Sequence, residues 1–111
     1  TVREADGLAM SSRNRYLDAD ARRTAALIPQ VLRQAIARIQ AGEPAETVLA
    51  DGTAQLAKGG FSVDYLELCD AATLGPVGPD SLSARLLVAA KLGKTRLIDN
   101  MAVARPAAGW I

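Results

Sequence analysis

Ser11, Ser12 and Arg13 set two hydroxyls beside a guanidinium, inside the stretch Val2 to Asn14 that precedes a long helical pattern. Serine hydroxyls and backbone N–H groups donate hydrogen bonds, and arginine adds a permanent cation whose planar fork of donors suits phosphate oxygens. Such a trio works electrostatically, binding a phosphate and neutralising charge on it. The same residues also suit a solvated loop, with serines capping the helix and the arginine in water. Residue types alone leave both readings open.

Other chemistry is excluded or disfavoured. The chain contains no histidine, so it cannot supply a Ser-His-Asp triad, a His-Cys dyad or an imidazole metal site. Neither a G-x-G-x-x-G run nor a Walker loop is present. Asp64, Glu67 and Asp70 lie in one strand pattern, where strict alternation places Asp64 and Asp70 on the face opposite Glu67 and argues against an acid/base pair. Asp99-Asn100 reads as a structural hydrogen-bonding pair near a sheet end. Cys69, the single cysteine, lies in an apolar strand and is expected to be a buried thiol rather than a nucleophile. No residue is a confident metal ligand.

With 111 residues, the chain is one domain, able to bury about two-thirds of the surface its unfolded form exposes. Half the residues are hydrophobic, and 13 basic against 12 acidic side chains leave a net charge of +1. That balance predicts a globular domain without affinity for nucleic acid or a membrane surface. The Arg22-Arg23 doublet reads as a solvated helix face. A lone cysteine fits a reducing, cytoplasmic setting. No apolar run reaches the roughly 20 residues needed to span a membrane, and the N-terminus lacks the layout of a signal peptide. Because it opens inside a motif, the chain is expected to be a piece of a longer protein.

The elements that must position the trio follow from periodicity. Asp18 is a good N-cap, and Leu27, Ile28, Val31, Leu32, Ala35, Ile36 and Ile39 recur at helical spacing until Gly42-Glu43-Pro44 ends the run. Pro29 interrupts this pattern and predicts a kink in one helix rather than two helices. A second helix is expected from Ala45 to Lys58, with Val48, Leu49 and Leu56 inward and Gly59-Gly60 as its stop. Gly52 weakens its middle by about 1 kcal/mol relative to alanine. The period then changes: Phe61–Asp70, Ala84–Leu92 and Thr95–Val103 read as strands, with Gly93-Lys94 as a two-residue hairpin turn. The connection Ala71–Ser83 is too broken by Gly75-Pro76 and Gly78-Pro79 for a regular element. The expected fold is α+β, two layers, with helices on one face of a small three-stranded antiparallel sheet. Its divisions are a loop over 1–17, a helical layer over 18–60, the sheet over 61–103, and a loosely held tail over 104–111 that carries Trp110. The expected core is Ile28, Leu32, Ile36, Leu66, Leu68, Leu87, Leu97 and Ile98.

The string R-E-x-D-G-L-A-x-S-S-R-N, residues 3 to 14, resembles the start of the C-terminal domain in the pantothenate synthetase (pantoate–β-alanine ligase) family. There it is the counterpart of the KMSKS loop of class I aminoacyl-tRNA synthetases. Tyr16-Leu17, Val63-Asp64-Tyr65, Leu87-Val88-Ala89-Ala90 and Gly93 through Asn100 are similar to that domain too, in the same order, so the resemblance covers essentially the whole chain.

This resemblance implies a ligase that uses ATP, with magnesium, to activate pantoate as an adenylate, and then β-alanine to displace AMP and give pantothenate. It implies that Ser11 and Ser12 bind phosphate oxygens, that Arg13 neutralises charge on departing pyrophosphate, and that Val2 and Met10 contact the adenine. One cation here serves where the synthetases have two. The implied partners are the small substrates, a Rossmann-like N-terminal domain of the same protein, and a second copy in a homodimer. The domain would be a lid hinged near Asp6-Gly7, inactive alone, with Thr1–Asn14 mobile or held by neighbouring molecules. Two alternatives stand beside it. One is a non-catalytic interaction or oligomerisation module that pairs through a sheet edge. The other is the lid of a related adenylate-forming enzyme acting on a different acid and amine.

Overall fold

Helix caps written into the sequence set the helical layer. In the computed structural model, which describes Arg3, Gly7 and residues 18–106, α1 spans Ala19–Ala25, α2 Leu27–Gln40 and α3 Ala45–Lys58. Asp18 caps α1 by accepting a hydrogen bond from the Ala21 N–H at 2.7 Å. Both longer helices end in the same glycine device. Gly42 and Gly60 take φ of +99° and +100°, which only glycine adopts without strain. Glu43 N then donates to the Arg38 carbonyl, and Phe61 N to the Leu56 carbonyl, each at 3.1 Å, closing a Schellman motif.

The single kinked helix expected around Pro29 is corrected to two helices that meet at Ala26. Pro29 has no N–H to offer the Ala25 carbonyl four residues back, and its ring crowds that carbonyl. The chain therefore breaks ahead of the proline. Pro29 then falls in the first turn of α2, where its missing donor costs nothing.

The α2–α3 turn is pinned by Arg38, whose guanidinium bonds both Glu43 oxygens at 2.8 to 3.1 Å and Asp51 at 2.9 Å. These bonds raise the Arg38 pKa, and the arginine holds the Glu43 carboxyl below its usual range.

Three antiparallel strands follow: β1 (Ser62–Asp70), β2 (Ser83–Leu92) and β3 (Thr95–Ala104), in the order β1-β2-β3. Leu92 pairs with Thr95 across Gly93-Lys94, with Gly93 at φ +62°, the two-residue hairpin expected. Helix α3 lies over β1 and α2 over β3, and the two helices pack on each other. The core between the layers takes Ile28, Val31, Leu32 and Ile39 from α2, Val48 and Leu56 from α3, and Leu66, Leu86, Val88, Leu97 and Val103 from the strands.

Two residues of the expected core are on the wrong face. Leu87 is half-buried and Ile98 is 58% exposed. Alternation sends Leu86, Val88 and Leu97 toward the helices and their neighbours Leu87 and Ile98 to the opposite face. Ile36 and Leu68 are partly buried against the core. The strict alternation expected in β1 also fails. Register slips between Val63 and Tyr65, so Asp64 is a bulge residue. It meets Arg96 at 2.9 Å, on the face that Glu67 shares and Asp70 does not.

The irregular Ala71–Leu82 connection is organised by Asp70. One carboxylate oxygen accepts from Ala72 N at 2.8 Å and Thr73 N at 3.1 Å, and the other from the Ser81 hydroxyl at 2.6 Å. The Ser81 bond first, then the backbone donors, hold the Asp70 carboxyl below the usual range. The connection turns back along the free edge of β1, where Pro76 bridges to Cys69, blunting an edge that would otherwise invite pairing. Cys69 is buried there, which pushes its thiol pKa up; it is the inert thiol expected.

Gly52 has a packing reason the sequence does not show. A Cβ at this position would lie 2.8 Å from Leu66 Cδ2 and 3.2 Å from Val31 Cγ1. Gly52→Ala should therefore fail to gain the roughly 1 kcal/mol of helix propensity. Overpacking costs about 1–3 kcal/mol, so net destabilisation of up to about 2 kcal/mol is expected in urea unfolding; a stabilised variant would show that Leu66 moves aside freely.

Candidate functional site

The Ser11-Ser12-Arg13 trio, with Val2 and Met10, lies outside the described residues, and so does Trp110. What the structure does describe is the seat of that loop. Arg3 and Gly7 flank its N-terminal side, and Asp18 opens the helix on the other.

Arg3 is fixed by four hydrogen bonds. Nη1 donates to Asp99 Oδ2 at 2.7 Å and Nη2 to Asp99 Oδ1 at 2.9 Å, the paired geometry that suits arginine and carboxylate. Nη1 also reaches the Gly7 carbonyl at 3.0 Å, and Nη2 the Asn100 carbonyl at 3.1 Å. The Asp99 side chain is 1% exposed and that of Arg3 21%. A carboxylate so deeply buried requires a partner, and it has two: the guanidinium, and the Asn100 N–H donating to Oδ1 at 2.7 Å. Asn100 is fixed in turn by Arg85, whose Nη1 donates to its side-chain oxygen at 2.7 Å.

The expectation that Asp99-Asn100 is a structural hydrogen-bonding pair therefore stands, with a partner the sequence reading left unnamed. The signal was present: alternation from Leu97 points Asp99 inward, and an inward carboxylate in an apolar strand demands a cation. It could not say which of the 13 basic residues supplies it.

Gly7 adopts φ +89°, and a Cβ there would sit 3.0 Å from Nη2 of Arg33 on α2. Arg3 is thus tied to the sheet, and Gly7 lies beside the Arg33 guanidinium of α2. The expectation that Thr1–Asn14 is mobile or held by neighbouring molecules falls outside the described residues except at Arg3 and Gly7, where Arg3 is held by bonds within its own chain. The expected loose tail is likewise tied at Pro106, which is buried.

A groove of about 440 Å³ lies elsewhere, lined by Ile39, Leu49, Leu68, Val77 and several prolines. Its one ionisable lining residue, Glu43, is committed to Arg38, so it offers no reactive group. Among the described residues no group of three or more acidic or cysteine side chains is placed to hold a metal ion. None of the described helices is long and apolar enough to cross a membrane.

Comparison with known proteins gives the seat a context. The family profile described as Pantoate-beta-alanine ligase matches residues 1–102. A pantothenate synthetase of Acidiphilium cryptum is 59% identical over 103 residues, which are 93% of this chain and 37% of the relative. One of Chromohalobacter salexigens is 54% identical over 106 residues, 96% of this chain and 38% of the relative. The chain therefore spans little more than a third of the curated relatives it matches. Among solved structures, pantothenate synthetase from Thermus thermophilus superposes with a TM-score of 0.80 at 37% identity, covering 91% of this chain and 37% of that one. A pantoate-beta-alanine ligase from Francisella tularensis, complexed with beta-gamma ATP and beta-alanine, gives a TM-score of 0.61 at 26% identity, covering 91% of this chain and 30% of that one.

Proposed function

The chain belongs to the pantoate-beta-alanine ligase family, and from that premise we propose that it is the nucleotide-facing lid of an ATP-dependent ligase that joins pantoate to β-alanine. The observation that carries this reading is the extent of the family match, which runs through residues 1–102 and takes in the whole Ser11-Ser12-Arg13 stretch. The Francisella relative, complexed with beta-gamma ATP and beta-alanine, supports both substrates.

In the proposed first step a pantoate carboxylate oxygen attacks the α-phosphorus of ATP. The bond to the β-phosphate oxygen breaks, and pyrophosphate leaves with the electron pair. In the second, the β-alanine amine attacks the acyl carbon, loses a proton, and expels AMP. Ser11 and Ser12 donate to phosphate oxygens, Arg13 offsets the charge that builds on pyrophosphate, and Val2 and Met10 border the adenine. These groups act by position and charge rather than by proton transfer. Asp99 and Asp70 are poor candidates for the magnesium that accompanies ATP, since Asp99 is committed to Arg3 and Asp70 to its own loop. Closure of the domain over the nucleotide excludes water, as mobile lids do. The domain alone is expected to be inactive, because nothing in it is assigned to pantoate.

The test is pyrophosphate release from ATP by the full-length protein. With pantoate present and β-alanine withheld, release is expected to stop near one equivalent of bound adenylate; adding β-alanine should restore turnover with AMP formation. Release that ignores pantoate would overturn the substrate assignment.

A further inference from the structure

We infer that Asp99, acting through Arg3, is a positioning residue for the nucleotide-facing loop, so that a carboxylate buried in the last strand sets the efficiency of the ATP-dependent step. This rests on the function proposed above. Arg3 spends four donors on three partners that belong to two different parts of the chain: Asp99 and the Asn100 carbonyl in β3, and the Gly7 carbonyl four residues ahead of Arg3 itself. A guanidinium is rigid and planar. Seating it on Asp99 therefore fixes where the Gly7 carbonyl must lie. Gly7 in turn holds φ +89° beside the Arg33 guanidinium.

The consequence is geometric. Four residues reach at most about 14 Å when fully extended, so Gly7 on one side and Asp18 on the other anchor the chain that carries the trio. A lone structural ion pair would need only the Asp99 fork. The extra bond to Gly7 is what links the pair to the direction of the loop, and misplacing a catalytic group by about 1 Å can cost on the order of a hundredfold in rate.

The experiment uses full-length protein with Arg3→Lys, Asp99→Asn and the double variant, measuring pyrophosphate release as a function of ATP and, separately, of pantoate. Arg3→Lys keeps the charge and loses the fork, and it alters a partly exposed side chain outside the core, so it decides the matter if Asp99→Asn does not fold. The expected result is a fall of about 10- to 100-fold in kcat/KM for ATP with the KM for pantoate unchanged. The double variant should be little worse than the poorer single one, since both break one coupled unit. Unchanged ATP kinetics in Arg3→Lys, while Arg13→Ala is impaired, would overturn the inference and leave the proposed function standing. A rise in the KM for pantoate that matches any rise for ATP would also overturn it, by showing a general structural effect. If wild type needs no pantoate, or Arg13→Ala is as active as wild type, the functional reading fails and this inference fails with it.

Discussion

Arg13→Ala in the full-length protein should lower pantoate-dependent pyrophosphate release by about a hundredfold to a thousandfold, the loss typical of removing one preorganised donor from a developing anion. The expectation sits at the high end for a sequence reason. By its resemblance to the class I synthetase motif the loop carries serine and arginine where that motif carries two lysines, so on the proposed reading Arg13 is the motif's one cation at the pyrophosphate. The contribution is needed most when the bond to the β-phosphate is breaking, so kcat should fall more than the KM for ATP rises. Arg13→Lys should recover part of the rate, since it restores the charge without the planar fork. Thermal unfolding should be unchanged in both variants, because a group that serves a ligand contributes little to the folded domain. Undiminished release in Arg13→Ala would reduce the loop to a connector, as an interaction module requires. A large loss with an acid other than pantoate as the required substrate would keep adenylate chemistry and change the family member's specificity.

The fold was largely legible because local rules and tertiary demands agree over most of the chain. Asp18, Gly42 and Gly60 act where capping chemistry puts them, and α3 occupies Ala45–Lys58 as its pattern predicts. Where the sequence misled, residue type left more than one local or tertiary solution open. Pro29 sits at a place where either a kink or a break satisfies the backbone, and the choice between them is made by the carbonyl of Ala25. The bulge at Asp64 depends on which residues of β2 lie opposite, which one strand cannot announce. Leu87 and Ile98 are apolar in type but occupy the alternate face, and type alone does not reveal the phase of a strand whose run is apolar throughout. Gly52 is a weak point by helix propensity, yet a Cβ there would crowd Leu66 and Val31. The site divides in the same way. Ser11, Ser12 and Arg13 are proposed for phosphate chemistry through their place in the family signature, whereas the Arg3–Asp99 pair joins opposite ends of the chain and needed the fold to bring it together.

Strand phase supplies the largest stability effect. Leu86→Ala in the 111-residue chain should cost about 3–5 kcal/mol, near the top of the range for leucine truncation in a core. Leu86 is fully buried on the central strand, opposite Leu68 on one side and Met101 on the other. The inward positions beside it along β2 are Ala84 and Val88, with Ala90 beyond. These short side chains cannot swing into the space a leucine leaves, so the cavity should persist. Against the roughly 5–15 kcal/mol of a typical domain, such a loss removes a large part of the stability and lowers the melting temperature by more than about 10 °C. Leu87→Ala, one residue along, changes the same number of atoms on the half-buried opposite face and should cost about 1 kcal/mol. Urea unfolding of the two variants measures the difference directly, as a shift in midpoint with the slope unchanged. A gap of about 2 kcal/mol or more is expected from the difference in burial. Equal losses would mean that the face carrying Leu87 and Ile98 is as well packed as the face beneath the helices, and that the sheet is not open on that side in solution.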